Sequence, residues 1–274
     1  MTMGTDDWRA ELKLLATEAT QRFLVVDGAA LTSSISNLKG NLSAELDVLA
    51  AAFEQNISAV GATVGMPVTL ALAASEGSHW QRIHTAERIR ARALDAEPGE
   101  DTDALEARRA SHAREGASKR MHDFATSPDG RGALAADACR FLLRALSSAD
   151  LSEAANELLR QGVVLTWSAL EMLSRDLFET MLNASPTRIL TILREPTAKH
   201  RLQSKFTLEE LATAGFNLSA SLGSLLPSRQ DFSDFATVKA VMLPLLDSEP
   251  DVGAALDDKA LQVLCQQRHL IVHR

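Results

Sequence analysis

The sequence predicts an all-α protein, and three observations lead to this prediction. Aromatic residues make up only 4% of the 274 residues and Tyr is absent, whereas β-sheets favour aromatic and β-branched side chains. Ala, Leu and Arg, which are good helix formers, recur throughout the chain. Apolar residues also return at intervals of three and four in several segments, which is the spacing of one helix face. With 46% hydrophobic residues, the chain can bury a core.

Charge and cysteine content exclude several classes of protein. The net charge of −8 argues against a non-specific coat on duplex nucleic acid, because phosphates would be repelled, although a local nucleic-acid site remains compatible with it. Two cysteines, Cys139 and Cys265, are too few for a disulfide framework or a zinc quartet. The start of the chain lacks the basic and apolar regions of a secretory signal. We expect a cytoplasmic protein without a metal or other cofactor.

The N-terminal region reads as helices of unknown role. Apolar spacing predicts one helix at 6–26 and another at 42–57. Residues 55–75 carry no charge and are long enough to span a bilayer. Gly61, Gly65, Pro67 and several Ala residues dilute the hydrophobicity of this stretch. We therefore expect a buried helix hairpin or a loop here, and no membrane partner.

Residues 80–121 are rich in Arg, Glu and Ala and are interrupted at 95–103, a linker by composition. Basic and acidic residues nearly cancel, which predicts a solvated helix with many ion pairs and not a basic nucleic-acid stripe. His79 and His84, five residues apart, are expected to be a surface pair. The sequence Ser-Pro-Asp-Gly-Arg-Gly at 127–132 predicts a turn that ends the region. We divide the chain into 1–132 and 133–274.

The second half is predicted to be a helical bundle. A break at 147–150 precedes a long helix whose wide apolar face continues to about Asn183. Shorter helices are expected at 187–194, 207–214 and 234–246. A terminal helix should begin near Asp257 and Asp258, because carboxylates suit a helix N-terminus.

Most common catalytic motifs are absent from the sequence. We find no phosphate loop, no dinucleotide fingerprint, no His-Glu-x-x-His and no Gly-x-Ser-x-Gly. Asp251, Asp257, Asp258 and Lys259 are residue types that metal-dependent nucleases use. Their separation is short and no strand surrounds them, so helix capping is the better explanation of these acids.

The last residues of the chain concentrate Arg268, His269, His273 and Arg274 around three apolar residues. Metal-independent RNA cleavage needs such groups: a guanidinium to grip a phosphate, and an imidazole to take the ribose 2′-OH proton near neutrality. A basic end that complements the helix dipole is the alternative. Arg268 and His273 would lie about 140° apart on an ideal helix. One phosphate could then be reached by both only with relaxed geometry or a second subunit, which predicts a dimer.

The run Arg268-His269-Leu270-Ile271-Val272-His273 resembles the signature of the HEPN superfamily, an Arg followed by a polar residue and, four to six positions after the Arg, a His. Residues 167–171 (Trp-Ser-Ala-Leu-Glu) and 175–178 (Arg-Asp-Leu-Phe) resemble the long early helix of that domain. The resemblance covers about residues 150–274. Members continue past the motif with a further helix, whereas this sequence stops at Arg274, so two alternatives stay open: a domain that naturally lacks its last helix, or a sequence that is a fragment.

The resemblance implies a small helical bundle that pairs across a two-fold axis, as in many RNases of toxin–antitoxin and antiphage systems. Arg268 would contact the scissile phosphate and His273 would act as base or acid. His269 would occupy the polar position after the Arg. Glu171 is a weaker candidate that would support the site from the long helix, and a solvated or capping carboxylate is the alternative for it. Trp167 is expected to be a core residue.

The sequence thus predicts a metal-independent endoribonuclease of a toxin–antitoxin or antiphage type. Its implied partners are an RNA substrate, a second copy of the chain and an antitoxin or regulatory protein. A non-catalytic HEPN-like module, which pairs with itself or with a partner in a defence or regulatory system, is the alternative.

Overall fold

The computed structural model describes residues 28–38, 43–202, 205–226, 231–246 and 250–273. All regular elements in these ranges are helices, and none of the described residues forms a strand. The predicted all-α class is therefore confirmed. The helix predicted at 6–26 lies outside the described residues.

Twelve α-helices are described, together with one 3-10 turn at Pro186–Arg188. In chain order they are α1 (Gly28–Leu38), α2 (Ala44–Ala91), α3 (Thr102–Thr126), α4 (Pro128–Leu146), α5 (Ala149–Ala184), α6 (Ile189–Arg194), α7 (Pro196–Arg201), α8 (Leu208–Thr213), α9 (Leu218–Leu225), α10 (Phe235–Leu245), α11 (Pro250–Leu256) and α12 (Lys259–Val272).

The described residues belong to two compact units. The first unit contains Val64–Glu157, and the second contains the described parts of Val26–Thr63 and Leu158–Arg274. The boundary drawn from the sequence, between residues 132 and 133, falls inside the first unit. That division into domains stays a prediction.

Helix α2 corrects the expectation for residues 55–75. It runs for 48 residues without a break, so the predicted hairpin or loop is wrong. Glycine inside a helix costs about 1 kcal/mol and proline about 3 kcal/mol. In α2 the many Ala and Leu residues and the contacts of the buried side of the helix outweigh these local costs. Helix α2 is also long and apolar enough to cross a membrane, by length and composition alone.

The core of the first unit joins α2 to α4. Ala71 of α2 packs with Ala138 and Leu142 of α4, and all three side chains are buried. The hydroxyl of Ser75, which is fully buried, donates a hydrogen bond of 3.1 Å to the carbonyl of Leu134. Small side chains on both helices allow this close approach, and the buried hydroxyl has its partner.

A single residue, Ser127, separates α3 from α4. Its backbone N–H caps the end of α3, and its side chain accepts a hydrogen bond of 3.0 Å from the N–H of Gly130. Pro128 occupies the first turn of α4, where a missing N–H has no cost. The predicted end of the region is correct, but residues 128–132 are helical and do not form a turn. A Cβ at Gly130 would lie 1.8 Å from the carbonyl oxygen of Phe124, so only glycine fits there.

The predicted linker at 95–103 lies between α2 and α3. Two arginines of α3 hold this loop in place by hydrogen bonds. Arg108 donates two hydrogen bonds to the carboxylate of Glu100, at 2.9 and 2.8 Å. Arg109 donates to the carbonyl of Leu94 at 2.7 Å. Gly99 has a φ of +84°, a conformation that favours glycine.

The predicted ion pairs of residues 80–121 are present. Glu87, whose side chain is 9% exposed, pairs with Arg90 on α2 and with Arg120 on α3. The two guanidinium groups compensate the burial of this carboxylate. The prediction of a helix with many ion pairs is thus confirmed.

The core of the second unit forms around the end of α5. Phe178 and Leu182 are fully buried, and the ring of Phe178 meets Phe232 edge to face at 5.5 Å. Trp167 is 2% exposed and packs edge to face on Phe235, which agrees with its predicted place in the core. Aromatic rings bury a large apolar area, and they therefore contribute much of the stability of the core.

The helices predicted in the second half agree with the structure to within a few residues. The long helix ends at Ala184, and α8 begins with a capping box between Thr207 and Glu210. The sequence reasoning did not identify α1, α7, α9 and α11, which have between 6 and 11 residues. Elements this short carry too few apolar repeats to show a period.

Candidate functional site

The terminal helix α12 begins and ends as its local sequence dictates. The side chain of Asp258 caps it by accepting a hydrogen bond of 2.8 Å from the N–H of Ala260. At the other end His273 is the C-cap residue, and its N–H donates to the carbonyl of His269 at 3.1 Å. The predicted start near residues 257–258 is confirmed. Arg274 lies outside the described residues.

The acids near the start of α12 have structural roles. Asp258 is the cap of the helix, as proposed from the sequence. Asp257 forms an ion pair with Lys239 of α10. Asp251 is exposed on α11. Helix capping and ion pairing therefore account for Asp257 and Asp258 without a metal site.

Helix α12 presents Arg268 and the two histidines on different faces. Arg268 belongs to a half-buried stripe with Leu264, Cys265 and Ile271. His269 and His273 are exposed. Successive residues turn by about 100° around a helix, so residues 268 and 273 point about 140° apart. The two residues predicted to act together therefore do not converge within one chain.

The structure instead brings His269 and His273 together. Their ring centroids are 4.4 Å apart, with the planes tilted by 48°. Residues four apart share a helix face, and exposure leaves both rings open to a ligand. Two adjacent imidazoles can take up one proton and give another, which is the chemistry of general acid–base catalysis.

Arg268 has an unsatisfied donor. Its Nε is buried and has no hydrogen-bond partner among the described residues. No carboxylate in the described part of the chain forms an ion pair with it. A buried guanidinium donor without an acceptor costs about 1–3 kcal/mol, so a ligand or a neighbouring chain that supplies an acceptor would be stabilised here.

Glu171 does not contact the other predicted site residues. It lies on α5 and accepts a hydrogen bond of 3.2 Å from Arg175, one turn along the same helix. No hydrogen bond or ion pair joins it to Arg268 or to either histidine in the described structure. Its role as a supporter of the site stays a prediction that the geometry of one chain does not favour.

A second polar cluster, in the first unit, was missed by the sequence reasoning. Nε2 of His79 lies 2.8 Å from Oδ2 of Asp137, and its ring stacks on Phe124 at 4.9 Å. Burial opposes ionisation of Asp137, but hydrogen bonds from His79 and Arg140 outweigh it and lower the pKa of this carboxyl. The expected surface pair of His79 and His84 is wrong for His79. No sequence signal links residues 58 positions apart.

His84 contacts an aromatic side chain and not His79. Its ring stacks on Trp80, one turn earlier in α2, with centroids 5.8 Å apart. Within the described residues, no group of three or more His, Cys, Asp or Glu side chains is arranged to hold a metal ion.

No protein-family model matches the chain, and neither does any curated protein or solved structure. The HEPN-like signature at residues 268–273 thus stays a prediction from the motif alone. The features of the site that remain are the exposed histidine pair and the buried Nε of Arg268, which has no hydrogen-bond partner among the described residues.

Proposed function

We propose that this chain is a metal-independent endoribonuclease of a toxin–antitoxin or antiphage type. The observation that supports it most is the contact between His269 and His273, two exposed imidazoles on the same helix as Arg268, whose Nε has no hydrogen-bond partner among the described residues. We place the protein in the cytoplasm, with RNA as its substrate and an antitoxin or regulatory protein as its partner.

The proposed reaction is an internal transesterification. One neutral imidazole takes the proton of the ribose 2′-OH, and the 2′-oxygen attacks the adjacent phosphorus. The bond from phosphorus to the 5′-oxygen breaks, and a protonated imidazole donates a proton to that leaving oxygen. A guanidinium stabilises the charge that develops on the non-bridging oxygens. The products are a 2′,3′-cyclic phosphate and a 5′-hydroxyl end.

A complete site is proposed to need two chains. In one chain Arg268 and the histidines lie on different faces of α12. A two-fold dimer can set Arg268 of one protomer beside the histidines of its partner, because each residue of a two-fold interface meets the symmetry-related surface. The proposal therefore includes a homodimer.

Incubation of the purified chain with total RNA in EDTA tests this function. We expect cleavage to survive chelation and to leave 2′,3′-cyclic phosphate ends. His273→Ala and Arg268→Lys should each reduce the rate by about a hundredfold or more, the usual contribution of a general acid–base group or a charge-stabilising donor. Lysine keeps the charge but loses the planar fork of donors.

Two exposed residues of α3 supply matched controls for these substitutions. His112→Ala and Arg114→Lys repeat the same chemical changes at exposed positions of the first unit, outside the motif, and we expect both to cleave like the parent chain. Full activity in His273→Ala and Arg268→Lys would remove the site. Activity that disappears with EDTA would contradict the metal-independent mechanism.

A specific observation also favours the alternative, a non-catalytic HEPN-like module. Arg268 faces the packed side of α12, while Val263, Leu270 and Val272 are about half exposed on the same helix. Val263 and Leu270, which are seven residues apart, share one helix face, and an exposed apolar surface there suits self-association or a protein partner in a defence or regulatory system. An intact dimer that leaves RNA uncut under all conditions would favour this module over the enzyme.

A further inference from the structure

A groove in the second unit combines charged edges with an aliphatic floor. It has a volume of about 810 Å³ and lies between α6, α7, α10 and α11. Ala236, Ala240, Leu243 and Leu246 are among its lining residues, and we call the aliphatic surface that these four supply the floor of the groove. A groove of this volume that combines aliphatic with charged lining residues suits a small organic molecule that has both an apolar and a charged part.

Three cations line the groove, and two of them already have carboxylate partners. Arg201 pairs with Asp234, and Lys239 pairs with Asp257. Arg194, at the end of α6, is exposed and lines the same groove. It forms no hydrogen bond or ion pair through its side chain with any described residue. The guanidinium of Arg194 is therefore the cation of the groove that is left for an external anion.

The charge of Arg201 is held in a defined place. Its Nη1 donates to Asp234 and, at 2.9 Å, to the hydroxyl of Thr237. Asp234 in turn caps α10 by accepting from the N–H groups of Ala236 and Thr237. The position of this guanidinium is thus fixed by the start of a helix, and Asp234 compensates its charge at one edge of the groove.

The balance of charge in the groove favours a ligand with a single anionic group. The carboxylate of Glu195 also lines the groove and does not pair with Arg194. Together with Asp234 and Asp257 it offsets the three cations. A polyanion such as RNA would gain little from this balanced surface, whereas a ligand with a single anionic group can use Arg194 without meeting a repulsive field.

We propose that this groove binds a small organic anion with an aliphatic body. Its head group, a carboxylate or a phosphate monoester, pairs with Arg194, since the guanidinium fork fits both groups. The body covers the floor of Ala236, Ala240 and Leu243. This binding site is separate from the motif on α12 and does not depend on RNA cleavage.

Calorimetric titration of the full chain tests the proposal with three probes: octanoate, octyl phosphate and the neutral octanol. We expect saturable binding of at least one of the two anions and much weaker binding of octanol. Comparison of octanoate with octyl phosphate identifies the preferred head group. Arg194→Gln should weaken binding of the anion by about tenfold or more, because a charge-assisted hydrogen bond is lost.

Two further variants keep the test specific. Arg188→Gln removes an exposed arginine outside the groove and should bind like the parent chain. Ala236→Leu adds bulk at an exposed position of the groove and should abolish binding while circular dichroism shows unchanged helix content. Equal affinity for octanol and both anions, parent-like affinity in Arg194→Gln, or no saturable binding of either anion would overturn the proposal.

Single-stranded RNA is the competing occupant. Binding of RNA that depends on Arg194, with no binding of either small anion, would assign the groove to nucleic acid and reject a small-molecule site. The cleavage assay on the same variants separates the two proposals, because Arg194→Gln should cut RNA at the parent rate if the groove is independent of the motif.

Discussion

At the end of α12, a difference of one position decides which side chains can act together. His269 and His273 are four residues apart and touch, whereas Arg268, one residue earlier, lies on the half-buried stripe. The motif was recognised from residue types and their order. Its geometry depends on the helical rotation of about 100° per residue and on which face of α12 packs against the bundle.

Glu100 provides a residue-scale prediction on pH. The hydrogen bonds from Arg108, and then one from the backbone of Glu97, lower the pKa of Glu100 from 4.5 to about 2. A carboxyl whose pKa is lower in the folded state stabilises that state fully above the unfolded pKa. We expect this contribution to be lost as the pH falls from about 4.5 towards 2, measured by thermal unfolding.

Glu100→Gln should lower the unfolding temperature at pH 7 and flatten its decline over this acid range. Glu97→Gln is a useful control, because the side chain of Glu97 stands 3.5 Å from Arg108 and is mostly exposed and should matter less. An acid profile of Glu100→Gln that matches the parent chain would show that this carboxylate does not hold the loop between α2 and α3.

At the scale of elements, α2 shows how local signals are overridden. Pro67 has no N–H to donate to the carbonyl of Thr63, one turn earlier, yet α2 continues through it. A proline inside a helix destabilises the folded state by about 3 kcal/mol relative to alanine. Replacing it also gives the unfolded chain more conformational freedom, which reduces the gain in stability by up to about 1 kcal/mol. The helix therefore contains a substitution site at which stability can be gained.

Pro67→Ala is expected to stabilise the protein by about 2 kcal/mol in urea unfolding, because it restores the missing helical hydrogen bond. Pro128→Ala is the matched control, since Pro128 lies in the first turn of α4, where the N–H would have no helical partner. It should give no gain. A loss of stability in Pro67→Ala would mean that the proline ring supplies packing that α2 needs.

At the scale of the whole molecule, the proposed composite site predicts a dimer at micromolar concentration by light scattering. It also predicts complementation between two inactive chains. Mixing Arg268→Lys with His273→Ala should restore about a quarter of the parent RNase activity, because about half of the dimers are mixed and each has one intact site. Mixing either variant with itself should restore nothing.

Failure of the mixture, with dimers present, would show that each chain holds its own complete site or that the motif is not catalytic. A monomer that cuts RNA would contradict the composite site directly. After either result, cleavage by His273→Ala alone should be examined first. Loss of activity in this variant tests the role of His273 whether or not the chain dimerises.

Much of the helical order was determined by the sequence itself. The caps at Thr207 and Asp258 and the apolar face of α5 are local signals, since they depend on neighbours within a few turns. From the sequence, the apolar face predicted the extent of α5 and the carboxylates at 257–258 predicted the start of α12. The same local reasoning was wrong for residues 55–75. It predicted that the glycines and Pro67 would interrupt the helix, but α2 continues through them because other contacts outweigh their local cost.

Only the tertiary structure decided which distant side chains meet. His79 and Asp137 are 58 residues apart, and the groove around Arg194 is assembled from four helices. Which face of α12 is buried, and therefore that Arg268 is half-buried while His269 and His273 are exposed, also depends on the helices packed beside it. Periodicity shows that a face is apolar, but the partner that covers it is selected by contacts between segments far apart in the chain.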